Sequence, residues 1–212
     1  KLILKKNIKS KVTKLKYNKK NFFLKKINNE YLLDENNLNN IHFIYSICKK
    51  FRLSDKSIFK SLNKFQGLSF RKQIIYRNDT LMIINDSKST SFSSTIRLLS
   101  SYKNIYWIVG GLFKKGDKFK LESKYYKNIK AYIIGLNKNF FVNQFKNKIQ
   151  YNYYKKLKDA IFEIKKDMKN DLNKKTILFS PAAASFDQFK NFEERGIYFN
   201  RIIKRVILNK HR

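Results

Sequence analysis

Proline is all but missing from this chain: Pro181 stands alone among 212 residues, beside only 6 glycines. Both scarcities point to a coding sequence rich in A and T. Cysteine is represented by Cys48 alone, which excludes a disulfide framework and a cysteine-based metal site. A reducing, cytoplasmic setting is the expectation that follows. Two histidines, His42 and His211, are too few and too scattered for a metal centre, and His42 on a helical stretch reads as a surface or core residue. No apolar run approaches the roughly 18 residues that a membrane-spanning helix needs, so no membrane insertion is expected. Residues 1–20 are basic but lack the apolar segment of a secretory signal. The chain also does not begin with Met, and it is expected to start inside a longer protein. A G-x-x-x-x-G-K-[ST] phosphate loop is absent, and no spacing argues for a Ser–His–Asp arrangement.

Acidic residues are scarce as well. Fifteen Asp and Glu face 48 Lys and Arg, a formal net charge of +33. Such an imbalance suggests nucleic acid or an anionic surface as a partner. Here the excess is mostly Lys, spread along the whole chain and accompanied by much Asn, Ile, Phe and Tyr, all residues with A/T-rich codons. It is read as coding bias, with no specific nucleic acid expected and salt-sensitive polyanion association expected in either case. A basic nucleic-acid-binding α/β module is the competing reading. Tyr151-Asn152-Tyr153-Tyr154 would then stack on bases, although strand and helix core accounts for those rings more simply.

What the chain has is core. With 42% hydrophobic and 16% aromatic residues it can bury a substantial interior. Residues 1–35 read as short strands, around Leu2–Leu4, Phe22–Leu24 and Tyr31–Leu33, joined by Asn- and Lys-rich turns. Asn36–Asn40 reads as a polar turn. Ile41–Phe51 and Asp55–Phe65 carry apolar residues at helical spacing, the second with Ser54 as N-cap, and Gln66-Gly67 ends it. Beyond Gly67 the pattern changes. Lys72–Tyr76 and Leu81–Ile84 form a hairpin around Arg77–Thr80, and strands then alternate with helices. The strands are Ile105–Val109, Ala131–Ile134, Ile149–Tyr151 and Thr176–Phe179; the helices are Ser91–Ser101, Asn139–Phe145, Lys156–Met168 and a long final one. That alternation predicts an α/β fold, a Rossmann-like, mostly parallel sheet flanked by helices, over 68–212, preceded by a partial domain over 1–67.

The final helix is expected to begin at Ser185, where Ser185 and Gln188 have the S-x-x-Q form of a capping box. Phe186, Phe189, Phe192, Phe199, Ile203 and Val206 would give it one apolar face. In an open α/β sheet, ligands bind beyond the carboxyl ends of the strands. Three such ends carry polar residues: Asn85-Asp86-Ser87-Lys88-Ser89-Thr90, then Gly110-Gly111 with Lys114 or Lys115, then Ser180–Ser185 with its helix N-terminus. Cations, hydroxyls and free N–H groups on one edge suit a small acidic ligand.

The wording of these three loops is specific. NDSKST, IVGG followed by Lys114, and SPAAASFDQFKNFEERG resemble the Mur ligases, in particular those that add D-glutamate to UDP-N-acetylmuramoyl-L-alanine in peptidoglycan synthesis. The resemblance covers residues 34–210 and implies the C-terminal portion of such an enzyme. Residues 1–67 would be the end of its central, ATP-binding domain and 68–212 its C-terminal domain. It implies a monomer whose partners are UDP-N-acetylmuramoyl-L-alanine, D-glutamate and ATP. Mg²⁺ would be held by ligands in the missing upstream part, together with the phosphate loop, so the chain alone is expected to be inactive. By resemblance Thr90, Lys114, Ser185, Phe186 and Phe192 hold D-glutamate, with Lys88 beside them. Asn37, Asn40, Arg71 and Asp86 face ATP, with Asn40 at the adenine, Arg71 at the phosphates and Asp86 at the ribose. Departures from the pattern stand at Phe70 and Gln73, where the family often has His and Glu, and at Asn36, where it has His. An inactive paralogue of the ligase would show such changes.

Overall fold

The computed structural model describes residues 22–29, 31–33, 35–169 and 173–209. The chain divides into two compact units, Lys1–Gly67 and Leu68–Arg212.

In the first unit, helices α1 (Glu35–Lys50) and α2 (Asp55–Lys64) enclose a small core of Ile27, Leu32, Ile41, Ile58, Phe59 and Leu62. Ser54 caps α2, its hydroxyl accepting from the Ser57 N–H at 3.2 Å. The Asn29 amide closes the other end of α2 by donating to the carbonyls of Leu62 and Phe65. Two expectations fail here. Phe22–Lys26 is a 3-10 turn and Tyr31–Leu33 a turn and bend, so neither is a strand; the strand expected near Leu2 lies outside the described residues. Asn36–Asn40 is not a turn but part of the first stretch of α1, which starts at Glu35 rather than at Ile41, where its apolar spacing begins. Asn37 anchors that stretch by donating its amide to the Tyr31 carbonyl at 2.7 Å. His42 lies in the core, and burial lowers its pKa.

The second unit is built on a six-stranded sheet of order β1-β2-β6-β3-β4-β5. Its strands are β1 (Gln73–Arg77), β2 (Leu81–Asn85), β3 (Ile105–Gly110), β4 (Ile129–Ile134), β5 (Gln150–Tyr154) and β6 (Lys175–Phe179). Only β1 runs antiparallel, in the expected hairpin with β2. Asn78 closes its turn, the side-chain oxygen accepting from the N–H groups of Thr80 and Leu81. The central strands β2 and β6 are buried along their whole length, as a sheet covered on both faces requires.

Alternation of side chains separates two cores. Met82, Ile84, Trp107, Val109, Ala131, Ile133 and Leu178 point to one face, under α3 (Phe92–Ser101) and α4 (Lys138–Phe145). Ile83, Ile108, Tyr132, Ile134, Ile177 and Phe179 point to the other, under α5 (Leu157–Lys169) and α6 (Phe192–Ile203). The chain runs outward through β3, β4 and β5, then returns through α5 to insert β6 between β2 and β3. That insertion brings the carboxyl ends of β2, β6 and β3 side by side, a crevice of the kind where open α/β sheets bind ligands.

Candidate ligand site at the carboxyl edge

The loop after β6 departs most from expectation. Helix α6 begins at Phe192, capped by Asn191, whose side-chain oxygen accepts from the Glu194 N–H at 2.7 Å. Ser185 is therefore not an N-cap. It is 2% exposed in an irregular segment, where its carbonyl accepts from the N–H groups of Gln188 and Phe189. The physical reason lies in the neighbouring loop. Leu112 and Ala184 exchange two backbone hydrogen bonds of 2.9 Å, and Gly110 N–H donates to the Pro181 carbonyl at 2.9 Å. This pairing pins Ala184 just beyond a bend at Ala182, whose φ is 54°, and Asp187 then turns its carboxylate to the Leu136 N–H. The expected apolar face begins late for the same reason. Phe186 is 68% exposed, whereas Phe199, Ile203 and Val206 are buried.

Gly110 and Gly111 are needed where they stand. Their φ values of 138° and 132° are ones that side-chain-bearing residues rarely adopt. A Cβ on Gly110 would strike the Ile134 carbonyl, and one on Gly111 the Ala184 carbonyl. The cations that follow, Lys114 and Lys115, are both exposed. Nearby, Asp117 accepts from the Phe92 N–H at 2.7 Å and so fills the first free donor of α3.

The loop after β2 is held from beneath. Asn85 donates to the Gly196 carbonyl and to the Asn200 side chain, tying β2 to α6. Asp86 lies inward, 9% exposed, with one oxygen accepting from Lys72 N–H at 3.0 Å and the other from Ser180 Oγ at 2.7 Å. Burial pushes its pKa up to about 6, against the opposing pull of those two hydrogen bonds and of the Lys72 and Arg71 charges. Lys88 places its ammonium 3.9 Å from the centre of the Phe192 ring. Two of the expected site residues, one from the loop after β2 and one from the first turn of α6, are thus in contact. Thr90 is exposed at the end of the same loop.

One residue escaped the sequence reading. Arg195 is 1% exposed, and its guanidinium holds two loops together. Nη2 donates to the carbonyls of Ser87 at 2.7 Å and Ala183 at 3.0 Å, and Nε donates to Ser87 Oγ at 3.1 Å. Nη1 has no hydrogen-bond partner among the described residues and lies under Gly111. Desolvation lowers its pKa to about 10, which still leaves it charged at neutral pH. The signal was present, since Arg195 is four residues before Phe199 and seven before Ile202, on the buried face of α6.

Of the residues matched to ATP, Arg71 is exposed and Asp86 buried in the second unit, while Asn37 and Asn40 lie on α1 of the first. Among the described residues no group of His, Cys, Asp or Glu could hold a metal ion, and no helix is long and apolar enough to cross a membrane.

No family model matches the chain. Comparison with curated proteins finds UDP-N-acetylmuramoylalanine–D-glutamate ligases. That of Wolbachia from Brugia malayi is 36% identical over 170 residues, covering 80% of this chain and 34% of the relative. That of Rickettsia prowazekii is 36% identical over 178 residues, covering 84% and 40%. The chain thus spans between about a third and two fifths of the length of these relatives. Among solved structures, a UDP-N-acetylmuramate–alanine ligase from Thermotoga maritima superposes with a TM-score of 0.56 at 15% identity, covering 83% of this chain and 39% of its own. MurF from Acinetobacter baumannii gives 0.56 at 12% identity, covering 79% and 38%. These structures share the fold, and the sequence kinship is with the D-glutamate ligases: the chain belongs to the Mur ligase family.

Proposed function

We propose that this chain supplies the D-glutamate-binding part, and some of the nucleotide site, of an ATP-dependent ligase that joins D-glutamate to UDP-N-acetylmuramoyl-L-alanine in the cytoplasm. The observation that carries the reading is the meeting of three loops at one sheet edge, with the Lys88 ammonium seated on the Phe192 ring. An amino acid with two carboxylates needs fixed cations and donors. Lys88 and Lys114 offer the charges, Thr90 and Ser185 the hydroxyls, and Phe186 and Phe192 the apolar walls. Holding the amine still beside an acyl phosphate is what such a part contributes to amide formation.

Asp86 enters differently from a ribose contact made by a free carboxylate. Both its oxygens already accept from protein donors, so it supports the loop, and any sugar hydroxyl would share those oxygens. Mg²⁺ finds no donor set among the described residues, and the reading assigns it, with the phosphate loop and the UDP-sugar site, to the rest of a longer enzyme. The test is ligation of radiolabelled D-glutamate to UDP-N-acetylmuramoyl-L-alanine. The full-length monomeric protein should perform it and the 212-residue chain alone should not. Lys114→Ala or Ser185→Ala in the full-length protein should abolish saturable D-glutamate binding. Ligation by the isolated chain would overturn the division of labour, and unaltered binding in both variants would overturn the site.

A further inference from the structure

Beneath the candidate pocket runs a file of buried hydroxyls. Ser180 Oγ donates to the Asp86 carboxylate at 2.7 Å and lies 2.8 Å from Thr95 Oγ1. Thr95 Oγ1 lies 2.6 Å from Ser89 Oγ, which is 2.7 Å from Ser94 Oγ. Ser180 and Thr95 are fully buried and Ser89 is 3% exposed, so no bulk water competes for these bonds. Three elements contribute: the loop after β2, the end of β6 and the first turns of α3.

We propose that Thr95 is a positioning residue, linking Asp86 through Ser180 to Ser89 and thereby setting the conformation of the Ser89–Thr90 loop that meets the ligand. Proton counting fixes the direction of the file. A hydroxyl has one proton to give, and an ionised carboxylate can only accept. Ser180 spends its proton on Asp86, so it accepts from Thr95. Thr95 in turn accepts from Ser89, while Ser94 has one proton for two acceptors, the Ser89 oxygen and the Ser91 carbonyl, each at 2.7 Å. Every donor in the file points the same way, and such chains strengthen one another in a dry interior. The Ser89 proton is therefore committed to Thr95, and the exposed Thr90 is the hydroxyl of that loop left to donate to a ligand. The hydrogen bonds of Thr95 go to Ser89, Ser91 and Ser180 and not to the loop residues matched to D-glutamate, and Thr95 is fully buried. It acts through Ser89.

This inference rests on the D-glutamate reading for its kinetic arm only. In the full-length protein, Thr95→Val keeps the shape and removes the hydroxyl, stranding those of Ser89 and Ser180. Loss of one buried hydrogen bond predicts a rise of about tenfold in KM for D-glutamate, with KM for ATP changed by less than about twofold. Thr95→Ser, which retains the oxygen, should restore wild-type KM. Amide exchange at Ser89 and Thr90 should quicken in Thr95→Val and not in Thr95→Ser. Should Thr95→Val fail to fold, Ser180→Ala breaks the file at the next link and takes its place. Unchanged exchange at Ser89 and Thr90 overturns the proposal, and so does an equal loss in the Ser and Val variants, which would mark a packing role. If the wild-type protein ligates no D-glutamate, the functional reading fails, and the exchange measurement still decides the file.

Discussion

Arg195 and Asp86 are buried charges of opposite sign that solve the same problem, the anchoring of a loop to a sheet edge. Arg195 does so by donating to the carbonyls of Ser87 and Ala183, which no other described group satisfies with a charge. Arg195→Met would leave both carbonyls buried and unpaired, and should cost about 2–4 kcal/mol in urea unfolding. Arg195→Lys should also be clearly destabilised, because an ammonium lacks the planar fork that reaches two acceptors. Wild-type stability in the Lys variant would refute the two-loop clamp. Asp86 gives a pH signature. Its carboxyl is raised from 3.8 to about 6 in the folded chain, so between those values the folded state holds the proton and the unfolded state does not. Stability from this group is full below about pH 4 and is lost as pH rises through about 6, in total about 2–3 kcal/mol. Asp86→Asn, a permanent mimic of the protonated form, removes that dependence. The stability difference between wild type and variant should therefore change by that amount across pH 4 to 7, and a flat difference would contradict it. In the sequence, Asp86 was legible as a polar residue at a strand end. Its inward turn was not, because it depends on Ser180, 94 residues away.

The strands and most helices of the second unit were legible as elements because hydrophobic periodicity reports burial directly. The start of α6 was not. Two caps of the same form lie six residues apart, Ser185 with Gln188 and Asn191 with Glu194, and local sequence has no means of choosing between them. The choice is made by tertiary pairing, where the Leu112–Ala184 bridge ties down the residue before Ser185 and the Asp187 carboxylate accepts from the Leu136 N–H. Asn191→Ala should accordingly cost about 1 kcal/mol and speed amide exchange at Glu194, the group it caps. Ser185→Ala should leave exchange at Glu194 unaltered. The reverse pattern would return the helix start to Ser185. The first unit was harder to read, since Asn-rich stretches such as Asn36–Asn40 favour turns as isolated segments and here join α1.

At the scale of the molecule, the described cations lie almost wholly outside the cores: among the described residues only Lys175 and Arg195 are buried cations. The cores themselves respect the division at Gly67. Two large clusters draw only on residues beyond it, and the third only on residues before it. A sheet covered on both faces by four helices should therefore hold together without the first unit, whose core among the described residues, six buried apolar side chains, is marginal by size. The chain contains its own reporter for this. Trp107, the only tryptophan, is fully buried in the second unit, with its indole N–H donated to the Ser180 carbonyl at 2.8 Å. Its fluorescence during urea unfolding should follow one cooperative transition with the same midpoint in the whole chain and in a 68–212 piece. Far-ultraviolet circular dichroism of the whole chain should show an additional loss of helix at lower urea, from α1 and α2. A 68–212 piece with no cooperative transition, or a single shared transition for both signals, would mean that the second unit depends on the first for its stability.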